Sequence, residues 1–173
     1  VITSDFTFTG DIYEPIVVLA DDIVIDGKGY KLQGTGYGEG FYLNGRKDVT
    51  IKNVVISSWN RGIFLESSTG NIIIGNSFEA HQYVGVHLYL SSGNTITGNT
   101  FANEYLCAVE LANSRNNMIS GNTIADHRYY YGIRLDYSSD ENTIAGNVFT
   151  DNRDSLYLYY SGYNTISGNT MTN

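Results

Sequence analysis

Residues 91–101 read SSGNTITGNTF and residues 161–171 read SGYNTISGNTM, nearly the same polar phrase seventy residues apart. The phrase occurs five times: NIIIGNSF from Asn71, NTITGNTF from Asn94, NMISGNTI from Asn117, NTIAGNVF from Asn142 and NTISGNTM from Asn164. The starts are 23, 23, 25 and 22 residues apart. Degenerate copies precede them, VTIKNVVI from Val49 and IVIDGKGY from Ile23. A fixed period of this size marks a solenoid, in which each unit buries its apolar side only against its neighbours.

A second phrase alternates with the first: GFYL at Gly40, GIFL at Gly62, GVHL at Gly85, AVEL at Ala108, GIRL at Gly132 and SLYL at Ser155. Its strict alternation predicts a short half-buried strand, with Phe41/Leu43, Ile63/Leu65, Val86/Leu88, Val109/Leu111, Ile133/Leu135 and Leu156/Leu158 inward. Each unit thus holds three strands. At ~3.3 Å per residue the period is a contour of roughly 70–80 Å, which suits one coil with three sides. Successive coils stack at ~4.8 Å, each strand pairing in parallel with its copy in the next. The expected fold is all-β: a single-stranded parallel β-helix of three short parallel sheets. About six coils span residues 23–173, and residues 1–22 form an N-terminal strand cap.

The repeated phrase then has a physical cause. Gly75, Gly98, Gly121, Gly146 and Gly168 mark a sharp corner. The Asn after each (Asn76, Asn99, Asn122, Asn147, Asn169) is expected to stack as a ladder of side-chain amides that satisfies turn backbone groups. Ser68, Ser91, Ser114, Ser138 and Ser161 mark a second corner in the same register.

Composition agrees. One Pro, 19 Gly and 15 Tyr favour strands and tight turns over helices. No apolar run approaches the roughly 20 residues of a spanning helix, so membrane insertion is not expected. Eighteen carboxylates against 10 Lys plus Arg argue against nucleic acid or an anionic membrane as partner, and favour a glycan, a cation or another protein. The single Cys107 cannot form a disulfide within the chain. The chain opens VITSDFTFTG, with neither Met nor a signal-like segment, as a processed or excised piece would.

The motifs IVIDGKGYKLQG (23–34), GFYLNGRKDVTIKNVVI (40–56) and every GIxL…NxIxGNxF coil after them resemble right-handed parallel β-helix proteins built from pectate-lyase-like repeats. The resemblance is particularly to the carbohydrate-binding/sugar-hydrolase β-helix group, with its relatives among archaeal surface proteins and the periplasmic copper-accessory protein of nitrous oxide reductase maturation. The resemblance covers nearly the whole chain. It implies right-handedness, and it places any cleft along the first sheet, the GIxL strands, and the loops before it. It carries no copper-ligand motif to residues of this chain, and one architecture hosts lyases, hydrolases, epimerases, adhesins and stalks.

Two outward columns of the first sheet follow from the alternation: Tyr42, Phe64, His87, Glu110, Arg134, Tyr157, and Asn44, Glu66, Tyr89, Ala112, Asp136, Tyr159. The loops feeding them bring Trp59, His81, Tyr83, Glu104, Tyr105, His127, Tyr129, Tyr130 and Tyr131 to the same side. His87, Glu110 and Arg134 on adjacent rungs are the candidate catalytic set. A uronan lyase or epimerase needs a base, a neutraliser of the substrate carboxylate and an orienting group, and these three could supply them in the order His87, Arg134, Glu110. Glu110 with Asp136 or Glu66 would instead suit a hydrolase. Plain charge pairing between rungs also accounts for the trio, at a few tenths to one kcal/mol per pair. The aromatic side chains Tyr42, Trp59, Phe64, Tyr83, Tyr89, Tyr105, Tyr130, Tyr157 and Tyr159, with Asp136 beside them, suit glycan stacking or a protein interface. His81, His87 and His127 fall in different coils without paired Cys, so no metal site is read. No cofactor is implied, and a bound cation such as calcium is not indicated.

The expected role is a non-catalytic, extracellular or cell-surface structural module, with the periplasm as the alternative compartment. Its aromatic face would contact glycans or partner chains. A polysaccharide lyase or epimerase is the competing reading. The last coil ends inside the third sheet, and an open end of this kind suits either a longer β-helix or head-to-tail assembly of copies.

Overall fold

The computed structural model describes residues 1–172. It is a right-handed parallel β-helix of about seven turns. The first sheet has seven strands, the second eight and the third seven, all parallel. One full turn runs Val84–Tyr89 in the first sheet, Thr95–Thr97 in the second and Thr100–Ala102 in the third. Register is one to one. Val86 lies between Ile63 and Val109, Ile96 between Ile73 and Ile119, and Phe101 between Phe78 and Ile124. The turn count exceeds the expected six because strands Phe6–Thr7 and Ile16–Val18 already pair in register with later ones. Residues 1–22 therefore lay down an irregular first turn.

The corners follow one rule. A residue in the left-handed region precedes each inward corner side chain, reversing the alternation that a strand would impose. Before the second-to-third corner it is Gly75, Gly98, Gly121, Gly146 and Gly168, at φ of 61–64°. After the third sheet it is Ser58, Ala80, Asn103, Asp126 and Asp151. The side chains that follow are all buried there: Trp59, His81, Glu104, His127 and Asn152.

Asn76, Asn99, Asn122, Asn147 and Asn169 form the expected ladder. Asn122 Oδ1 accepts from the backbone N–H of Asn99 at 2.9 Å and from its side-chain amide at 3.1 Å. Asn122 Nδ2 donates to Ile96 O at 3.0 Å and to Asn147 Oδ1 at 2.9 Å. A second ladder of the same kind, Asn71, Asn94, Asn117, Asn142 and Asn164, lies at the corner before the second sheet. Each of these Asn opens one copy of the repeated phrase, where the alternation alone gives it no inward role.

The serine column differs at one rung. Ser139, and not Ser138, continues it: Ser114 N–H donates to Ser139 Oγ, and Ser139 N–H to Ser161 Oγ, each at 3.2 Å. Tyr137 and Ser138 are both left-handed, at φ 51° and 60°. This turn thus spends one extra residue, which is part of its 25-residue period, and the inward serine moves one place on.

The glycine of GIxL has a steric cause. A Cβ on Gly85 would come within 2.8 Å of both Ala108 O and the Phe101 ring, and one on Gly132 within 2.6 Å of Ser155 O and 2.8 Å of the Phe149 ring. Where the chain has Ala108 instead, the third-sheet residue of that turn is the smaller Ile124. Small and large side chains thus alternate across the core, as close packing requires.

Candidate functional site

The outward face of the first sheet brings His87, Glu110 and Arg134 onto successive rungs, His87 opposite Glu110 and Glu110 opposite Arg134. His87 Nε2 lies 3.6 Å from Glu110 Oε2, and Arg134 Nη1 lies 3.5 Å from Glu110 Oε1. Tyr83, from the corner below, donates its hydroxyl to Glu110 Oε1 at 3.1 Å. Arg134 is also held by Asp136, Nη2 to Oδ2 at 2.5 Å. Arg61 and Glu39, which the alternation did not single out, close the cluster with a 2.8 Å ion pair. The Arg61 guanidinium sits over the Phe64 ring at 4.7 Å and over Tyr83 at 5.6 Å. These two residues open the strand one position before the GIxL phrase, so their outward direction was not visible in its alternation.

The centre is drier than an outward column should be. His87, Glu110 and Asp136 are 8%, 4% and 1% exposed. His87 Nδ1 and Nε2, Glu110 Oε2, Arg134 Nε, Asp136 Oδ1 and Arg61 Nε have no hydrogen-bond partner. Of the nine buried side-chain N and O atoms without a partner among the described residues, six lie on this face, and the other three belong to His81 and Glu104 in the core. Burial, followed by the nearby Arg61 and Arg134 charges, lowers the His87 imidazole to about 4, so it is the free base at neutral pH. Burial pushes the Glu110 carboxyl up against the opposing influence of Tyr83 and Arg134. Burial and then the Glu110 charge push the Tyr83 phenol up.

Aromatic rings flank this centre on both sides. Tyr42 stacks on Phe64 at 5.5 Å, and Phe64 on His87 at 5.0 Å. Beyond Arg134, Tyr131 stacks on Tyr157 at 4.4 Å and Tyr157 lies nearly parallel to Tyr159 at 6.5 Å. Tyr105 packs against Tyr129 and Tyr130 at 6.2 and 5.6 Å. Tyr89, Tyr105, Tyr129 and Tyr159 are exposed, whereas Tyr83, Tyr130 and Tyr157 are half-buried.

Four residues expected on this face lie elsewhere. Trp59, His81, Glu104 and His127 point into the core, because the left-handed residue before each turns the side chain inward. Trp59 donates its Nε1–H to Leu32 O at 3.1 Å. His127 Nε2 lies 2.5 Å from Glu104 Oε2, and His81 Nδ1 lies 3.5 Å from Glu104 Oε1. Burial pushes the Glu104 carboxyl up, but hydrogen bonding from His127 and His81 outweighs it and holds the group below its ordinary range. His127 Nδ1 faces Asn152 Oδ1 at 2.9 Å. His81, Glu104, His127 and Asn152 form a buried polar column in place of the Asn and Ser ladders at the other corners.

A parallel β-helix with a polar centre between aromatic stacks on its first sheet is the class of protein these features define. The chain belongs to the family described as periplasmic copper-binding protein (NosD), whose model matches residues 22–173. No curated protein sequence matches it. Among solved structures it is similar to the enzymatically active domain of bacteriophage CBA120 tailspike protein 2 (TM-score 0.62, 14% identity, 95% of this chain and 38% of that one). It is also similar to an alginate lyase from Paenibacillus sp. str. FPU-7 (TM-score 0.58, 14% identity, 96% of this chain and 88% of that one). A third is the periplasmic alginate epimerase AlgG (TM-score 0.50, 15% identity, 92% of this chain and 51% of that one). The chain spans little more than a third of the tailspike domain, and at these identities the likeness is one of fold.

The family description names copper, and the residues here do not fit such a site. Among the described residues no three His, Cys, Asp or Glu side chains converge as metal ligands. His81 and His127 each lie against the Glu104 carboxylate between them, and Cys107 is buried with its thiol pushed up by burial.

Proposed function

We propose that the first-sheet face recognises a polysaccharide laid across the turns. Arg61 and Arg134, whose side chains are 27% and 25% exposed above the His87–Glu110–Asp136 centre, would meet sugar hydroxyls or carboxylates. Tyr42 and Phe64 on one side, and Tyr131, Tyr157 and Tyr159 on the other, would stack on sugar rings. The observation that carries this reading is a charged polar centre set on an outward face between two aromatic stacks. Rungs ~4.8 Å apart put the two stacks several sugar rings apart, so a polymer suits the face better than a monosaccharide. The similar solved structures include proteins named for lyase and epimerase action on alginate, and a family described as periplasmic supports a location outside the cytoplasm.

One observation favours a second reading, catalysis on a uronic-acid polymer: His87 is an unprotonated imidazole with both nitrogens unpartnered, beside two guanidinium groups. In that reading His87 takes the proton α to the sugar carboxylate while Arg134 or Arg61 stabilises the resulting charge. Expulsion of the neighbouring glycosidic oxygen, which takes up a proton as its bond to carbon breaks, leaves a double bond and is lyase chemistry. Return of a proton to the opposite face of the same carbon is epimerisation.

Retention on insoluble polysaccharides tests the binding reading, with Tyr131→Ala/Tyr157→Ala as the variant. The native chain is retained and the double variant washes through with unchanged circular dichroism. Equal retention of both places any binding elsewhere. Ultraviolet absorbance of unsaturated product, followed over a panel of uronic-acid polymers, tests elimination, and NMR of the recovered polymer tests epimerisation.

A further inference from the structure

A hollow lies at the N-terminal end of the first sheet, beyond the Tyr42 and Glu39 edge of the His87 centre. After strand Lys31–Gln33 the chain reads Gly34-Thr35-Gly36-Tyr37-Gly38, with Gly36 and Gly38 at φ of 94° and 69°. These left-handed positions carry the chain outward and leave Tyr37 82% exposed. Tyr13, Glu14 and the strand Ile16–Val18 run alongside. Between the two segments is a hollow of about 580 Å³, with Trp59 at its base, Tyr13, Tyr37 and Tyr42 around it, and the carboxylates of Glu14 and Glu39 beside them.

Three observations fix the chemistry of a ligand there. Tyr13 and Tyr37 are 65% and 82% exposed and, among the described residues, stack on no other ring, so their faces are unclaimed, whereas Tyr42 is stacked on Phe64 and Trp59 is buried. No Lys, Arg, His, Asn or Gln side chain lines the hollow. Its fixed hydrogen-bonding groups are already used: Trp59 Nε1 on Leu32 O and the Tyr42 hydroxyl on Glu66. A neutral sugar could hydrogen-bond to the carboxylates but has no charge to answer theirs, and no amide or basic side chain converges here. An ammonium ion whose hydrogens are replaced by methyl groups needs none. It needs aromatic faces and negative charge, which are what the hollow offers. Glu39 is paired with Arg61, but Glu14 has no ion-pair partner among the described residues, and the net charge of −8 favours a cation.

We propose that this hollow binds an organic ammonium ion of the quaternary or N-methylated class, with Tyr13 and Tyr37 supplying ring faces, Trp59 closing the base and Glu14 the counter-charge. The site does not depend on the glycan reading of the first sheet.

Trp59 is the only tryptophan, so intrinsic fluorescence of the whole chain reports on the hollow directly. The chain is titrated at constant ionic strength with choline and tetramethylammonium, with the uncharged isostere of choline in which carbon replaces nitrogen, and with neutral oligosaccharides. A saturable change with the ammonium ions, weakened about tenfold or more for the isostere and in Glu14→Gln and Tyr37→Ala, is the expected result. Tyr37 and Glu14 are exposed, and circular dichroism verifies that both variants fold. Equal affinity for the isostere, saturation by oligosaccharides alone, or no saturable response to any of these probes would each overturn the proposal.

Discussion

His87 stands directly opposite Glu110 on adjacent rungs of the first sheet, its Nε2 3.6 Å from Glu110 Oε2, with neither atom hydrogen-bonded. At that separation, and in a site this dry, the pair is an ion pair only if the imidazole accepts a proton. Burial and the two guanidinium charges oppose that.

His87 titrates in the folded chain near pH 4 and in the unfolded chain near its ordinary 6.5. Between those values the unfolded state binds the extra proton, so the His87 contribution to stability is complete above about pH 6.5. It is lost progressively as the pH falls towards 4. Its full size is about 3 kcal/mol as an order of magnitude. His87→Phe continues the Tyr42–Phe64 stack and removes the titration. Denaturant unfolding from pH 7 to pH 4 shows the variant gaining on the native chain as the pH falls. Parallel curves would mean that the imidazole is not buried as described.

Asn122→Ala strands the backbone N–H of Asn99 and the carbonyl of Ile96, both inside the stack, at a cost of about 1–3 kcal/mol for each group. Asn169→Ala, on a half-buried rung of the same ladder, costs less because water reaches its partners. Thermal unfolding of the two variants ranks them in that order. Equal melting temperatures for Asn122→Ala and the native chain would remove the ladder from the account.

Gly85→Ala puts a methyl group against Ala108 O and the Phe101 ring, an overpacking worth about 1–3 kcal/mol. Phe101→Ile reproduces the pairing that the next turn already uses, Ala108 with Ile124. The double variant is therefore more stable than the sum of the single changes by about 0.5–3 kcal/mol. Strict additivity in a double-mutant cycle would show that the two positions do not share space.

The repeat made the three sheets, their parallel pairing and the Gly-Asn ladder legible, because Gly and Asn are the residues that a left-handed corner selects. The same corner is less visible where other residues fill it. Ala80, Leu90, Tyr160 and Tyr163 are left-handed without any local signal of it. That is why His81 and His127 were expected on the outward face and lie in the core, and why an extra residue at Tyr137–Ser138 moved the serine column to Ser139. The candidate trio was legible by alternation alone. Arg61 and Glu39 were not, since they precede the GIxL phrase that set the register.

The central claim, that the first-sheet face is a glycan-binding surface, is tested most directly by backbone amide NMR of the chain titrated with neutral and uronic-acid oligosaccharides. The account predicts saturable shift changes confined to the first-sheet strands from Glu39–Asn44 to Asp154–Tyr159 and the corners before them, centred on His87, Glu110 and Arg134. Shift changes confined to the second and third sheets, or none with any oligosaccharide, would contradict it.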